Sequence, residues 1–151
     1  METKLIDLSV YKKVPKFIAV EGPIGAGKTT LTKLLADSFG YDTFLEKPSE
    51  NPFLPDFYTN PSQAALATQL FFLFQRVKQI QELMQGDIFS SNRVSDFLLD
   101  KDMLFAKATL SKEELKLYEQ IYEYLSLDLP TPDLVVYLQA ETKTLYERVM
   151  H

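Results

Sequence analysis

Residues 17–30 read FIAVEGPIGAGKTT, Phe17 to Thr30, and the fold is decided by this stretch. A short apolar run, Phe17 to Val20, meets Gly22. After four intervening residues come Gly27, Lys28 and Thr29, and Leu31, Leu34 and Leu35 continue at helical spacing. A strand, a glycine-rich turn and a helix start, in that order, form the setting of a phosphate-binding loop. The segment Gly22, Gly25, Ala26, Gly27 lets backbone N–H groups point inward around phosphate oxygens at the positive end of a helix. Lys28 adds a mobile positive charge for β- and γ-phosphates, Thr29 offers a hydroxyl to a magnesium ion, and Thr30 completes the candidate set. A bare glycine-rich turn is the plainer alternative, but loop, lysine, hydroxyl and flanking elements all agree on phosphate.

The chain has 151 residues, of which 46% are hydrophobic, enough for one domain with a real core. Its formal charge of −5 argues against nonspecific binding to a nucleic-acid polymer, which needs a basic face. A small phosphorylated ligand needs only local positive charge. The absence of cysteine excludes disulfides and cysteine–zinc sites and fits a reducing compartment. No apolar run approaches the roughly 20 residues of a membrane span, and no signal-peptide core opens the sequence, so the cytoplasm is expected.

Residues 1–16 read as a tail or linker, and the core as 17–151. A helix from Lys28 to Phe39 should stop at Gly40. A second strand is expected over Tyr41 to Leu45. The proline- and aromatic-rich Lys47 to Pro61 reads as a long ordered loop. Ser62 to Gln85 reads as one long helix, stopped by Gly86, and a third strand is expected within Phe89 to Asp96. Phe97 to Ala108 looks like a short helix. Ser111 opens another through a capping box with Glu114, and Leu134 to Leu138 (LVVYL) is expected as a buried parallel strand. A last helix begins at Thr142. Strands alternating with helices predict an α/β fold with a parallel sheet flanked by helices and with ligand at the carboxyl ends of the strands.

Beyond the loop, FLEKPSENPFLPDFY, the helix with ATQLFFLFQR, the stretch SDFLLDKDMLFA and the ending PDLVVYLQA resemble the deoxynucleoside kinases, particularly the bacterial deoxyadenosine/deoxyguanosine kinase branch. The resemblance runs from Phe17 to the end of the chain. It implies the three-layer P-loop kinase fold, ATP and magnesium as cofactors, and transfer of the ATP γ-phosphate to the 5′-hydroxyl of a deoxynucleoside, with a preference for purines. It further implies Glu46 as the carboxylate that takes the 5′-hydroxyl proton, Tyr58 on the sugar 3′-hydroxyl, Gln69 and Arg76 at the base edge, and Phe105 stacked on the base. A homodimer built through a helical bundle is also implied, with the helices 62–85 and 111–125 as candidates. Each residue has a plainer reading: Glu46 as a solvated loop carboxylate, Arg76 as a surface ion-pairing residue, Tyr58 and Phe105 as core.

The sequence departs from the family at two points. Animal members resemble one another in a Glu-Arg-Ser triplet at the end of the third strand, where this chain has Ser95-Asp96-Phe97. Asp96 is then the expected magnesium ligand beside Thr29, with Lys101 or Arg93 as candidates to restore the lost charge. The family also continues into an arginine-rich lid. Arg148 matches the first lid arginine, and the sequence stops at His151, so a core lacking the lid and last strand is expected. Two rivals stay open: a nucleoside monophosphate kinase resembling thymidylate kinase, disfavoured by Glu46, Glu50 and Asp56 on the acceptor side, and a noncatalytic nucleotide-binding module.

Overall fold

A computed structural model describes residues 14–85 and 92–151. Four parallel strands stand in the order β2-β3-β1-β4: β1 is Phe17–Glu21, β2 Asp42–Phe44, β3 Arg93–Ser95 and β4 Leu134–Tyr137. β1 is apolar from Phe17 to Val20 because it lies inside the sheet, with β3 and β4 paired along its two edges and helices over its faces. Its end, Glu21, passes directly into the phosphate-type loop.

Helix α1, Lys28–Phe39, leaves that loop and ends where the sequence predicts, at Gly40, whose φ of 68° allows its N–H to reach Ala36 O. It closes one face of the sheet, where Leu35, Ala36 and Tyr41 pack on Ile18, Val20 and Val94. Against the other face stand the long helix α3, Pro61–Gln85, and α5, Lys112–Ser126, since Phe17 shares a cleft with Ile80 and Tyr122. With α4, Asp100–Thr109, they bury a second cluster of Leu73, Val77, Ala106 and Tyr118. The capping box at Ser111 forms as expected. α6, Thr142–Met150, follows β4.

Three expectations are corrected. The segment 47–61 is not a plain loop: a 3-10 turn at Pro48–Glu50 leads to the short helix α2, Leu54–Thr59. The prolines mislead because Pro55 occupies the first turn, where its missing N–H has no helical partner anyway. Contacts with α3 hold the segment, through Asn51 Nδ2 donating to Thr68 O at 3.1 Å and Phe53 set edge-on to Phe71 at 6.4 Å. The helix expected from Phe97 starts only at Asp100, and Phe97 instead buries its ring. β4 is parallel as expected but not buried. It has a strand on one side only among the described residues, and Val135 and Tyr137 are 45% and 60% exposed. The helix stop at Gly86, the strand start at Phe89–Ser91 and residues 1–13 lie outside the described residues.

Candidate active site

All the strands run the same way, so the groups leaving their carboxyl ends gather at one edge of the sheet. The loop after β1 lies at its centre. Gly22 passes so close to β4 that a Cβ there would sit 2.7 Å from Leu138 O, and Gly27 takes a φ of 96°. Only glycine meets both demands without strain. Lys28 Nζ donates to Gly22 O at 3.0 Å and to Pro23 O at 3.3 Å. From α6, Arg148 Nη1 donates to Gly25 O at 3.1 Å, so this arginine reaches the loop.

A polar chain runs from the loop toward α3. Thr29 Oγ1 donates to Asp96 Oδ2 at 2.7 Å, and the Glu46 N–H donates to Asp96 Oδ1 at 2.7 Å. The Glu46 carboxylate in turn accepts from Arg76 Nη2, and Arg76 Nη1 donates to Asp102 Oδ1. The guanidinium also lies over Phe72 and Phe97, 5.1 and 5.8 Å from their ring centres. Lys28, Thr29, Glu46, Arg76 and Asp96 are therefore brought together. Gln69 lies two helical turns before Arg76 on α3 and is 6% exposed, an enclosed amide on the same face.

Two candidates stand apart from this chain. Tyr58, on α2, is 75% exposed and packs beside Phe57. Phe105 lines a separate cleft of about 510 Å³ with Glu21, Pro23, Lys101, Leu104 and Tyr137. Of the two cations named as candidates to replace the absent arginine, Arg93 is at the opposite, amino end of β3, paired with Asp42 and set over Phe44. Lys101 is at the loop, with Nζ 2.9 Å from Glu21 Oε1.

Burial, followed by the nearby Lys101 ammonium, pushes the Lys28 pKa below the ordinary lysine value against the pull of Glu21, Glu46 and Asp96. Burial raises Asp96 above the usual carboxylate range, and its hydrogen bonds from Thr29 and Glu46 only partly offset this. A nearby cation would favour its charged form. The Thr29 hydroxyl and the Asp96 carboxylate are hard oxygens side by side, a set that fits magnesium, which binds few protein oxygens and fills its shell with water and phosphate. No group of three or more His, Cys, Asp or Glu gathers to form a protein-only metal cage among the described residues.

Asp102 is the participant that sequence reasoning missed. It is 1% exposed, and its Oδ2 is buried without a hydrogen-bond partner. The signal lay in α4: with Leu99, Met103, Ala106 and Leu110 turned to the second cluster, an aspartate at 102 enters the interior and needs a cation. Glu21 was likewise passed over as part of the loop motif.

The deoxynucleoside kinase family model matches residues 18–151. The deoxyguanosine kinase of Bacillus subtilis is 39% identical over 134 residues, covering 88% of this chain and 65% of that protein. A deoxyadenosine kinase of Lactobacillus acidophilus is 32% identical over 142 residues, covering 87% of this chain and 64% of that protein. The chain thus spans a little under two thirds of the length of these relatives. Among solved structures, the deoxyadenosine kinase from M. mycoides with bound dATP superposes with a TM-score of 0.75 at 27% identity, over 89% of this chain and 70% of that one. No described helix is long and apolar enough to cross a membrane.

Proposed function

The chain belongs to the deoxynucleoside kinase family, and on that premise we propose that it transfers the γ-phosphate of ATP to the 5′-hydroxyl of a purine deoxynucleoside. The observation that carries this reading is the unbroken polar chain Thr29–Asp96–Glu46–Arg76–Asp102, which joins a phosphate loop to the helix bearing Gln69. Donor and acceptor substrates then meet at Glu46.

Lys28 and the loop amides hold the triphosphate, and Arg148 adds positive charge from α6. The Glu46 carboxylate accepts the 5′-hydroxyl proton as the oxygen attacks phosphorus, while Arg76 keeps that carboxylate oriented. Thr29 and Asp96 would hold magnesium, which would supply charge neutralisation at the phosphates. Gln69 offers an amide to the base edge, and the unpartnered Asp102 Oδ2 offers an acceptor to its N–H groups. The relatives named for deoxyguanosine and deoxyadenosine support a purine. Tyr58 serves the sugar and Phe105 the base only if α2 and α4 close around the substrate.

A homodimer in the cytoplasm belongs to the same reading. Exposed Phe74 and Met84 on α3, with Leu117 and Tyr124 on α5, support an apolar face for a second copy.

The test is transfer of labelled γ-phosphate from ATP to each of the four deoxynucleosides and to thymidylate, by this chain and its Glu46→Gln variant. Transfer to a purine deoxynucleoside that the variant loses is the expected result. Transfer to thymidylate alone would make the chain a monophosphate kinase, and ATP binding without transfer would make it a noncatalytic module.

A further inference from the structure

Lys28 and Lys101 meet around Gly22, the first at its carbonyl and the second through the carboxylate that holds its N–H. Lys28 Nζ donates to Gly22 O at 3.0 Å, while Glu21 Oε1 accepts from Gly22 N at 2.8 Å and from Lys101 Nζ at 2.9 Å. The Lys101 ammonium helps to push the Lys28 pKa below the ordinary lysine value. Lys101 is pinned from two sides: Glu21 holds its head, and the Phe105 ring lies 5.5 Å away. Its side chain is only 22% exposed.

Two cations stand beside the Glu21 carboxylate at the mouth of the loop, where Glu46 and Asp96 also act on Lys28, and an arriving anion would compete with these carboxylates for them. Glu21 cannot easily move outward, because its carboxylate is 10% exposed and bonded to the loop backbone, with Oε2 buried and unpartnered. Lys101 can, since its four-carbon stem springs from the first turn of α4 and borders the open cleft. An anion heavier in charge than one carboxylate, arriving on the Lys28 side, would draw the ammonium away from Glu21.

We infer that Lys101 is a second phosphate-contacting cation, parked on Glu21 and handed over to the terminal phosphate of the triphosphate. The inference rests on the kinase reading above. Glu21 and Lys101 then act in opposition: the carboxylate competes with the phosphate for the ammonium. A purely structural ion pair behaves otherwise, because removing either partner harms the same fold.

The experiment measures ATP and ADP affinities by calorimetry, in magnesium buffer, for the parent chain and for Lys101→Met, Lys101→Arg, Glu21→Gln and Lys28→Met, with circular dichroism to check folding. Expected are at least tenfold weaker ATP binding with under twofold change for ADP in Lys101→Met, recovery to within threefold in Lys101→Arg, and tighter ATP binding in Glu21→Gln. Glu21→Gln keeps an oxygen for the Gly22 N–H, so it tests the contest for Lys101 separately from loop geometry. Weaker or unchanged ATP binding in Glu21→Gln, or unchanged binding in Lys101→Met, would overturn the inference. If Lys28→Met alone lost ATP, the phosphate loop would stand while the role of Lys101 fell. If the parent bound neither nucleotide, both readings would fall together.

Discussion

Arg76 and Asp102 form the most enclosed ion pair among the described residues, with side chains 11% and 2% exposed, and the same guanidinium also grips Glu46. One residue of α3 therefore ties the end of β2 to α4. A buried pair of this kind is weak evidence of stability in itself, but removing Arg76 leaves the buried Asp102 carboxylate without water or a cation, whereas removing Asp102 leaves Arg76 still paired with Glu46.

Arg76→Leu should destabilise the fold by about 3 kcal/mol, measured by urea unfolding, because it strands the Asp102 carboxylate. Replacing both members, Arg76→Leu with Asp102→Leu, should recover most of that loss while abolishing transfer. A double variant no more stable than Arg76→Leu alone would mean that the pair is held by packing and not by charge.

Gln69→Leu removes an enclosed amide without creating a large void. If the amide reads the base, the deoxynucleoside KM should rise about 30-fold, the equivalent of roughly 2 kcal/mol for a hydrogen-bonded group, with the KM for ATP unchanged. Steady-state kinetics with each substrate varied in turn decides this. A matching rise for ATP would place the damage in the fold.

Gly22→Ala should lower stability by about 2 kcal/mol or more, because its Cβ would sit 2.7 Å from the Leu138 carbonyl at a φ of 157°. The strain falls on the β1–β4 pairing, where Leu138 N donates to Glu21 O at 2.7 Å. Thermal unfolding reads the loss, and a melting temperature equal to the parent's would show that β4 yields freely.

Tyr122 is pushed up to about 12 by burial, and then by Asp100, whose Oδ1 its hydroxyl meets at 3.3 Å. Between pH 10 and 12 the unfolded chain releases a phenol proton that the native chain retains, so stability falls as pH rises through that window. Tyr122→Phe should make the fall shallower in pH-dependent unfolding. A slope as steep as the parent's would assign the alkaline loss to other groups.

How legible these features were depended on whether their cause was local. β1, the loop and α1 could be read directly, because an apolar run, three glycines and a capping Gly40 act within a few residues of one another. α2 could not, since what holds Leu54–Thr59 is the hold of Asn51 and Phe53 on α3, a tertiary cause that outweighs four prolines. LVVYL shows the converse: its apolar character says strand, but exposure depends on sheet order, which no stretch of five residues encodes. In the site, Glu46 and Arg76 were named from the sequence, yet their contact spans 30 residues and became visible only in the fold. Asp100 and Asp102 look alike on paper, and it is the position of Arg76 that distinguishes them.

The inner position of β1 bears on traffic as well as on stability. β2 and β3 lie to one side of it and bring Glu46 and Asp96, whereas β4 lies to the other and leads into the helix that carries Arg148. The two carboxylates and the arginine arm thus stand on opposite flanks of the loop, and on the proposed reading each flank serves a different substrate.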